Sequence, residues 1–209
     1  MAMHSGTARA ARWGADLPVD EEQARERLLQ AAETCYARHG PSRTTMTHIA
    51  HEAGVHRTTV YSYFPNRDAV LAACFVRAVA GVIAAADPYF DSDEPFSERL
   101  VKALLVGLEA ARNSPAMRML IAGDELTRTH RAAEASEIWR EDLRASLGQR
   151  FAEAAAEGEV RDDVPPETLT HWTTRICFSL IADPGKPEHG GDEGLLRAFL
   201  PTALAPPAR

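Results

Sequence analysis

The stretch TMTHIAHEAGVHRTTVYSYFPNRDAVL, residues 45–71, fits two short helices and the start of a third into 27 positions. Thr44 or Thr45 offers a side-chain oxygen to cap a helix whose inward residues are Met46, Ile49 and Ala50, and Gly54 ends it. Only Gly54, Val55 and His56 separate it from a second short helix, Arg57 to Tyr63, which Pro65 and Asn66 close. Two short helices around a tight glycine-containing turn make a helix-turn-helix. Val60 and Phe64, four residues apart, share an inward face. Arg57, Thr58, Thr59, Tyr61, Ser62 and Tyr63 then look outward.

Outward from this centre the pattern stays helical. Asp20 before Glu21, Glu22 and Gln23 gives an N-cap acceptor and acids in a positive first turn; Gly40-Pro41 ends that helix, so it spans about 20–39. Asn66 caps a helix over 67–86, about 30 Å long, that suits a connector. Further helices are expected over the stripe Leu100 to Leu108, from Ser114-Pro115 to Ala122, unbroken from Glu125 to Glu157, from Pro165 to Ala182, and over 194–200, where Pro201 ends the last. No strand pattern and no repeat is visible. The expectation is an all-α fold of about nine helices: a flexible leader 1–19 carrying Arg9 and Arg12, a helix-turn-helix domain 20–66, and a helical domain 67–209 with 67–86 connecting.

Composition narrows the function classes. Apolar residues make up 45% of the 209, enough for a packed core. The net charge of −7 is uneven: residues 1–80 hold 9 arginines against 8 acids, while 81–209 hold 14 basic and 22 acidic residues. The overall acidity therefore does not argue against a polyanionic partner for the N-terminal unit. No run of about 18 uninterrupted apolar residues or secretory leader is present, so a cytoplasmic location and no membrane partner are expected. Cys35, Cys74 and Cys177 lie apart among apolar neighbours and read as buried free thiols. His48, His51 and His56 cluster in sequence, yet no carboxylate or thiol at metal-ligand spacing completes a shell, so neither metal nor cofactor is expected. No nucleophile elbow, phosphate-binding glycine loop or HExxH pair marks an enzyme. A helical protein-interaction adaptor or a small-molecule enzyme without DNA binding are the rival classes; an adaptor would show the same packing without a polar groove-facing side.

The quoted stretch resembles the DNA-binding signature of the tetracycline-repressor (TetR) family. The match joins Thr45, Ile49-Ala50, Ala53-Gly54-Val55, Thr59, Tyr61, Tyr63-Phe64, Arg67 and Leu71 in order and spacing, and it covers about residues 20–75. The resemblance implies that Arg57, Thr58, Thr59 and Ser62, with Thr47 on the preceding helix, face bases or the groove. Thr45, Tyr61, Tyr63 and Arg67 would face phosphate or sugar. Chemically, arginine suits guanine O6 and N7, and threonine methyls suit the thymine methyl. Arg67 stands where the family usually has lysine, and His56 where it often has serine, as a helix cap or phosphate contact. The implied protein is a homodimer on double-stranded DNA with a pseudo-palindromic operator, released by a small-molecule effector. Phe75, Met117, Leu120, Trp139, Leu143, Trp172 and Cys177 are the candidate pocket residues, and Leu169, Ile176, Phe178, Ile181, Leu195 and Phe199 the candidate dimer face.

Overall fold

The computed structural model describes Trp13 and residues 18–207, and among them every regular element is helical. Helix α1, Glu21–His39, starts as its sequence asks: the Asp20 carboxylate accepts from the Gln23 backbone N–H at 2.8 Å, and Gln23 Oε1 accepts from Val19 at 2.6 Å. Helix α2, Met46–Ala53, is capped by Thr45, whose hydroxyl accepts from His48 N–H while His48 Nδ1 accepts from Thr45 N–H. Histidine here fills the place that glutamate or glutamine takes in the usual capping box.

The turn into α3, Arg57–Tyr63, rests on one glycine. Gly54 adopts φ 68° and ψ 33°, and the next N–H, of Val55, reaches back to Ala50 O at 2.9 Å. This left-handed stop ends α2 and lets α3 begin after three residues. Helix α4, Arg67–Ala86, follows with Asn66 accepting from Ala69 N–H at 2.8 Å. The stretch Arg67–Phe90 is long and apolar enough by composition to cross a membrane, though Arg77 interrupts it. Here one side of α4 is packed, with Val70, Leu71, Cys74 and Phe75 buried, and Arg77 is salt-bridged to Glu26 and Glu33 of α1.

The remaining elements are α5 (Phe96–Asn113), α6 (Pro115–Ile121), α7 (Glu125–Glu134), α8 (Glu137–Leu143), a π-helical turn (Arg144–Gly148), α9 (Gln149–Ala156), α10 (Pro166–Ala182) and α11 (Gly191–Leu204). The single helix expected over 125–157 is therefore broken. Ser136 accepts from Trp139 N–H at 3.4 Å and caps a new helix, a local competitor for the backbone that the apolar spacing does not register. The last helix was expected to stop at Pro201, but it runs on to Leu204. Leu200 and Leu204 are buried, and Arg161 takes up the end carbonyls by donating to Leu204 O and Ala203 O, which holds the final turn in place.

Two apolar cores result. The first joins α1 to α4 and continues past residue 66 into Ala111, Met117, Leu120, Ala133, Trp139 and Phe178; the second gathers Phe96, Leu100, Phe151, Leu169, Leu196 and Leu200. The structure thus fastens the helix-turn-helix to the larger helical part through a shared interior rather than a hinge of loop.

Replacing Gly54 by alanine is expected to lower the unfolding free energy by about 1 to 2 kcal/mol, since an L side chain is strained at this φ. Denaturant titration measures it; an unchanged midpoint would mean that the turn relaxes freely.

Candidate nucleic-acid interface

The third helix has seven residues, too few to persist alone. It is held from behind by Val60 and Phe64, both sealed in the first core, and Phe64 N–H donates to Val60 O at 2.9 Å. Two arginines of α1 complete the brace. Arg25 lies over the Phe64 ring at 4.6 Å and donates to Tyr63 O, and Arg27 donates to Ala53 O at 3.1 Å, so each takes up a carbonyl at a helix end. Trp13, buried within the stretch read as a flexible leader, meets Tyr63 edge-on at 6.0 Å and lies against the Arg27 guanidinium at 5.4 Å. Residues 1–12 and 14–17 of that stretch, with Arg9 and Arg12, lie outside the described residues.

Of the residues expected to face outward, His56, Arg57, Thr58, Tyr61 and Ser62 are exposed on α3 and its cap, and Thr47 is exposed on α2. His56 Nδ1 accepts from Thr58 N–H at 3.4 Å and lies 2.8 Å from the Thr58 hydroxyl, so imidazole does serve as the cap. Arg57 donates to the Tyr61 hydroxyl at 2.9 Å and lies over its ring at 5.1 Å, one helical turn apart. This pair stiffens two long side chains on the exposed face. The nearby acids are engaged elsewhere: Glu52 pairs with Arg38 at 2.6 Å and Asp68 with Arg128 at 3.0 Å.

Thr59 departs from the expectation. It is 2% exposed, on the inner side next to Val60, and its hydroxyl has no hydrogen-bond partner among the described residues. On a helix of seven residues packed on both α1 and α2, the buried stripe is wider than the Val60–Phe64 pair alone suggests. Tyr63 and Thr45 are half-buried. Arg67 is half-buried as well and donates to Pro41 O and, at 2.7 Å, to Ser42 O, so it secures the loop between α1 and α2. The same loop is held from the larger part, where Glu125 at the start of α7 accepts from Ser42 N–H at 2.8 Å. Sequence reasoning missed Arg25, Arg27, Trp13 and Glu125, because their partners lie 26 to 83 residues away for the hydrogen-bonded ones and no local pattern marks them.

Next to the first core lies an apolar cavity of about 150 Å³. Phe75, Met117, Trp139, Leu143 and Cys177 line it as expected, with Val79, Val82, Phe90 and Gly107 from α4, the turn after it and α5. Leu120 is fully buried in the first core and Trp172 packs on the second, so neither is on its wall. Two residues assigned to the dimer face belong to the wall instead. Phe178 and Ile181 point inward because α10 packs on both its sides, and Phe178 meets Phe75 at 5.7 Å and His130 at 4.3 Å. Leu169 is sealed in the second core, Ile176 and Leu195 are half-buried against it, and Phe199 is 66% exposed. Burial pushes the Cys177 thiol up to about 12, which keeps it neutral; Cys35 and Cys74 are raised in the same way. Among the described residues no three histidine, cysteine or acidic side chains gather as a metal site.

The sequence profile of the bacterial regulatory proteins of the tetR family matches residues 28–74, which contain α2 and α3 with Val60 and Phe64. An uncharacterised HTH-type transcriptional regulator of Mycobacterium bovis is 30% identical over 138 residues, covering 65% of this chain and 68% of that protein. A second, from Mycobacterium tuberculosis, is 29% identical over 192 residues, covering 90% of this chain and 88% of its own length. Among solved structures the TetR-family repressor AlkX from Dietzia superposes with a TM-score of 0.58 at 19% identity, over 85% of this chain and 94% of that one. The transcriptional repressor QsdR of R. erythropolis gives 0.59 at 18%, over 91% and 100%. With the braced, polar-faced third helix and this agreement along the chain, the protein belongs to the tetR family of DNA-binding, helix-turn-helix transcription regulators.

Proposed function

We propose that this chain acts as a homodimeric repressor that holds a pseudo-palindromic operator through α3 and lets go when a small molecule fills the apolar cavity. The observation that carries the reading is the division of α3: Val60 and Phe64 lock it from behind, while Arg57, Thr58, Tyr61 and Ser62 are exposed on its other side. A major groove about 12 Å wide accepts such a helix only when that row is polar and firmly held. Arg57 and Thr58, with Thr47 from α2, read base edges; Thr45, Tyr61, Tyr63 and Arg67 meet the phosphate backbone, and His56 orients the helix start. One α3 covers half a site, so two copies about 34 Å apart are required. Phe199, the large apolar side chain left exposed on α11, is assigned to the surface that joins them.

Release is a population shift. The cavity wall and the helix-turn-helix share α4: Phe75 and Val79 face the cavity, and Val70 and Leu71 lie in the interior that braces α3. A molecule that spreads α4 from α5 moves the loop tied by Arg67 and Glu125, and with it the spacing of the two α3 helices. Regulators of this family bind DNA and small molecules as dimers, which supports both halves of the reading.

Selection of bound fragments from random DNA, read at two salt concentrations, tests the whole. A two-fold symmetric site bound less tightly at higher salt is expected; recovery of no common site would overturn it. Arg57→Ala is expected to cost about 1 to 3 kcal/mol and relax one base position, whereas Arg67→Ala weakens cognate and random DNA alike. Thr59→Val replaces a buried, unpartnered hydroxyl by a methyl of similar shape, so thermal stability should hold or rise and DNA affinity stay within about twofold. A loss of affinity on that change would place the hydroxyl on the DNA.

A further inference from the structure

The loop between α1 and α2, residues 40–45, is gripped at both ends of one peptide unit. The carbonyl of Pro41 accepts from Arg67 at the start of α4 at 3.3 Å, and the N–H of Ser42, in the same peptide, donates to Glu125 Oε1 at the start of α7 at 2.8 Å. The loop itself is stiff. Gly40 stands at φ 78°, Pro41 has a fixed φ, and Thr44 donates to Gly40 O at 2.9 Å through its hydroxyl and to Pro41 O at 3.3 Å through its N–H. Thr45 then caps α2, so a displacement of Ser42 carries α2 with it.

Glu125 is anchored in the larger part of the molecule. Its helix, α7, buries Ala132 and Ala133 in the first core, Thr129 donates to Leu120 O at 2.6 Å, and the His130 ring lies 4.3 Å from that of Phe178. The bond to Ser42 contributes little net stability. Glu125 Oε2 is buried and has no hydrogen-bond partner among the described residues, and the cost of a buried acceptor without a donor offsets what the bond through Oε1 contributes. What the bond does supply is a fixed distance between α7 and the loop.

We infer that Glu125 is a positioning residue for DNA binding: through Ser42 it sets where α2 and α3 stand against the larger part of the chain, and so whether two copies of α3 fit both halves of an operator at once. It acts through the loop rather than on the DNA. The inference rests on the reading of the protein as a dimer on a two-fold site. A single α3 on a single half-site needs no such register, because the bonds that tie the helix-turn-helix to α1, from Arg25 to Tyr63 O and from Arg27 to Ala53 O, do not involve α7.

Binding of the full-length protein to the selected operator, and to the same DNA with one half-site scrambled, provides the test, with hydrogen exchange of the Ser42 amide read alongside. Glu125→Ala is expected to weaken the intact site about tenfold and the half-site by less than about twofold, and to speed Ser42 exchange. Glu125→Gln keeps an oxygen that accepts from Ser42 and should restore the intact-site affinity. Glu125→Asp keeps an acid in the first turn of α7 but falls short of Ser42, and should behave as alanine does. The ratio of the two affinities does not depend on how much of a variant is folded, so it separates positioning from instability. Equal losses for both DNAs or none in Glu125→Ala, a glutamine variant no better than alanine, or an aspartate variant that binds as the native protein does would overturn this inference and leave the proposed function standing. A native protein that binds the intact and the half-scrambled site equally would overturn both.

Discussion

Two helices of eight and seven residues cannot hold their own shape in water, and that constraint organises the molecule. Ile49, Val60 and Phe64 supply the missing stability by burial in the interior they share with α1 and α4, at roughly 1.5 to 3 kcal/mol for each large apolar side chain taken out of water. Arg25 and Arg27 add what apolar packing cannot, since they satisfy carbonyls at the ends of α3 and α2 that have no helical partner. A helix fixed in this way presents a stiff polar edge. Arg57 and Tyr61 stiffen it further by stacking on each other.

The same sharing underlies the proposed release: α2 and α3 lie in one apolar interior with α1 and α4, so a shift of α4 would reach them without a dedicated signalling element. The cavity touches α4 on its far side, through Phe75, Val79 and Val82. Polar ties run in parallel: Glu125 and Arg67 hold the loop between α1 and α2 at Ser42 and Pro41, and Arg128 pairs with Asp68 at the start of α4. An exposed ion pair such as the last contributes little to stability.

The rest of the chain reflects different demands. The second core, around Phe151, Leu169, Leu196 and Leu200, sits away from the helix-turn-helix and holds α5, α9, α10 and α11 together. α10 serves both interiors, with Phe178 in one and Leu169 in the other, and this explains why its apolar residues occupy more than one side. A helix apolar on several sides is buried on several sides. Phe178 and Ile181, expected on the dimer face, line the cavity.

The amino-acid order alone determined the helical class, the turn at Gly54, the caps at Asp20 and Asn66, and the helix from 67 to 86. Each of these depends on residues within one or two turns of one another, so spacing and backbone preference suffice. Only the tertiary structure decided that Thr59 faces inward, that Trp13, Arg25 and Arg27 brace α3, that Phe178 lines the cavity, and that Glu125 reaches Ser42. Those outcomes turn on which helix lies against which, and their partners are tens of residues distant. Local sequence carries no record of that geometry, because burial belongs to the packed arrangement and not to the residue.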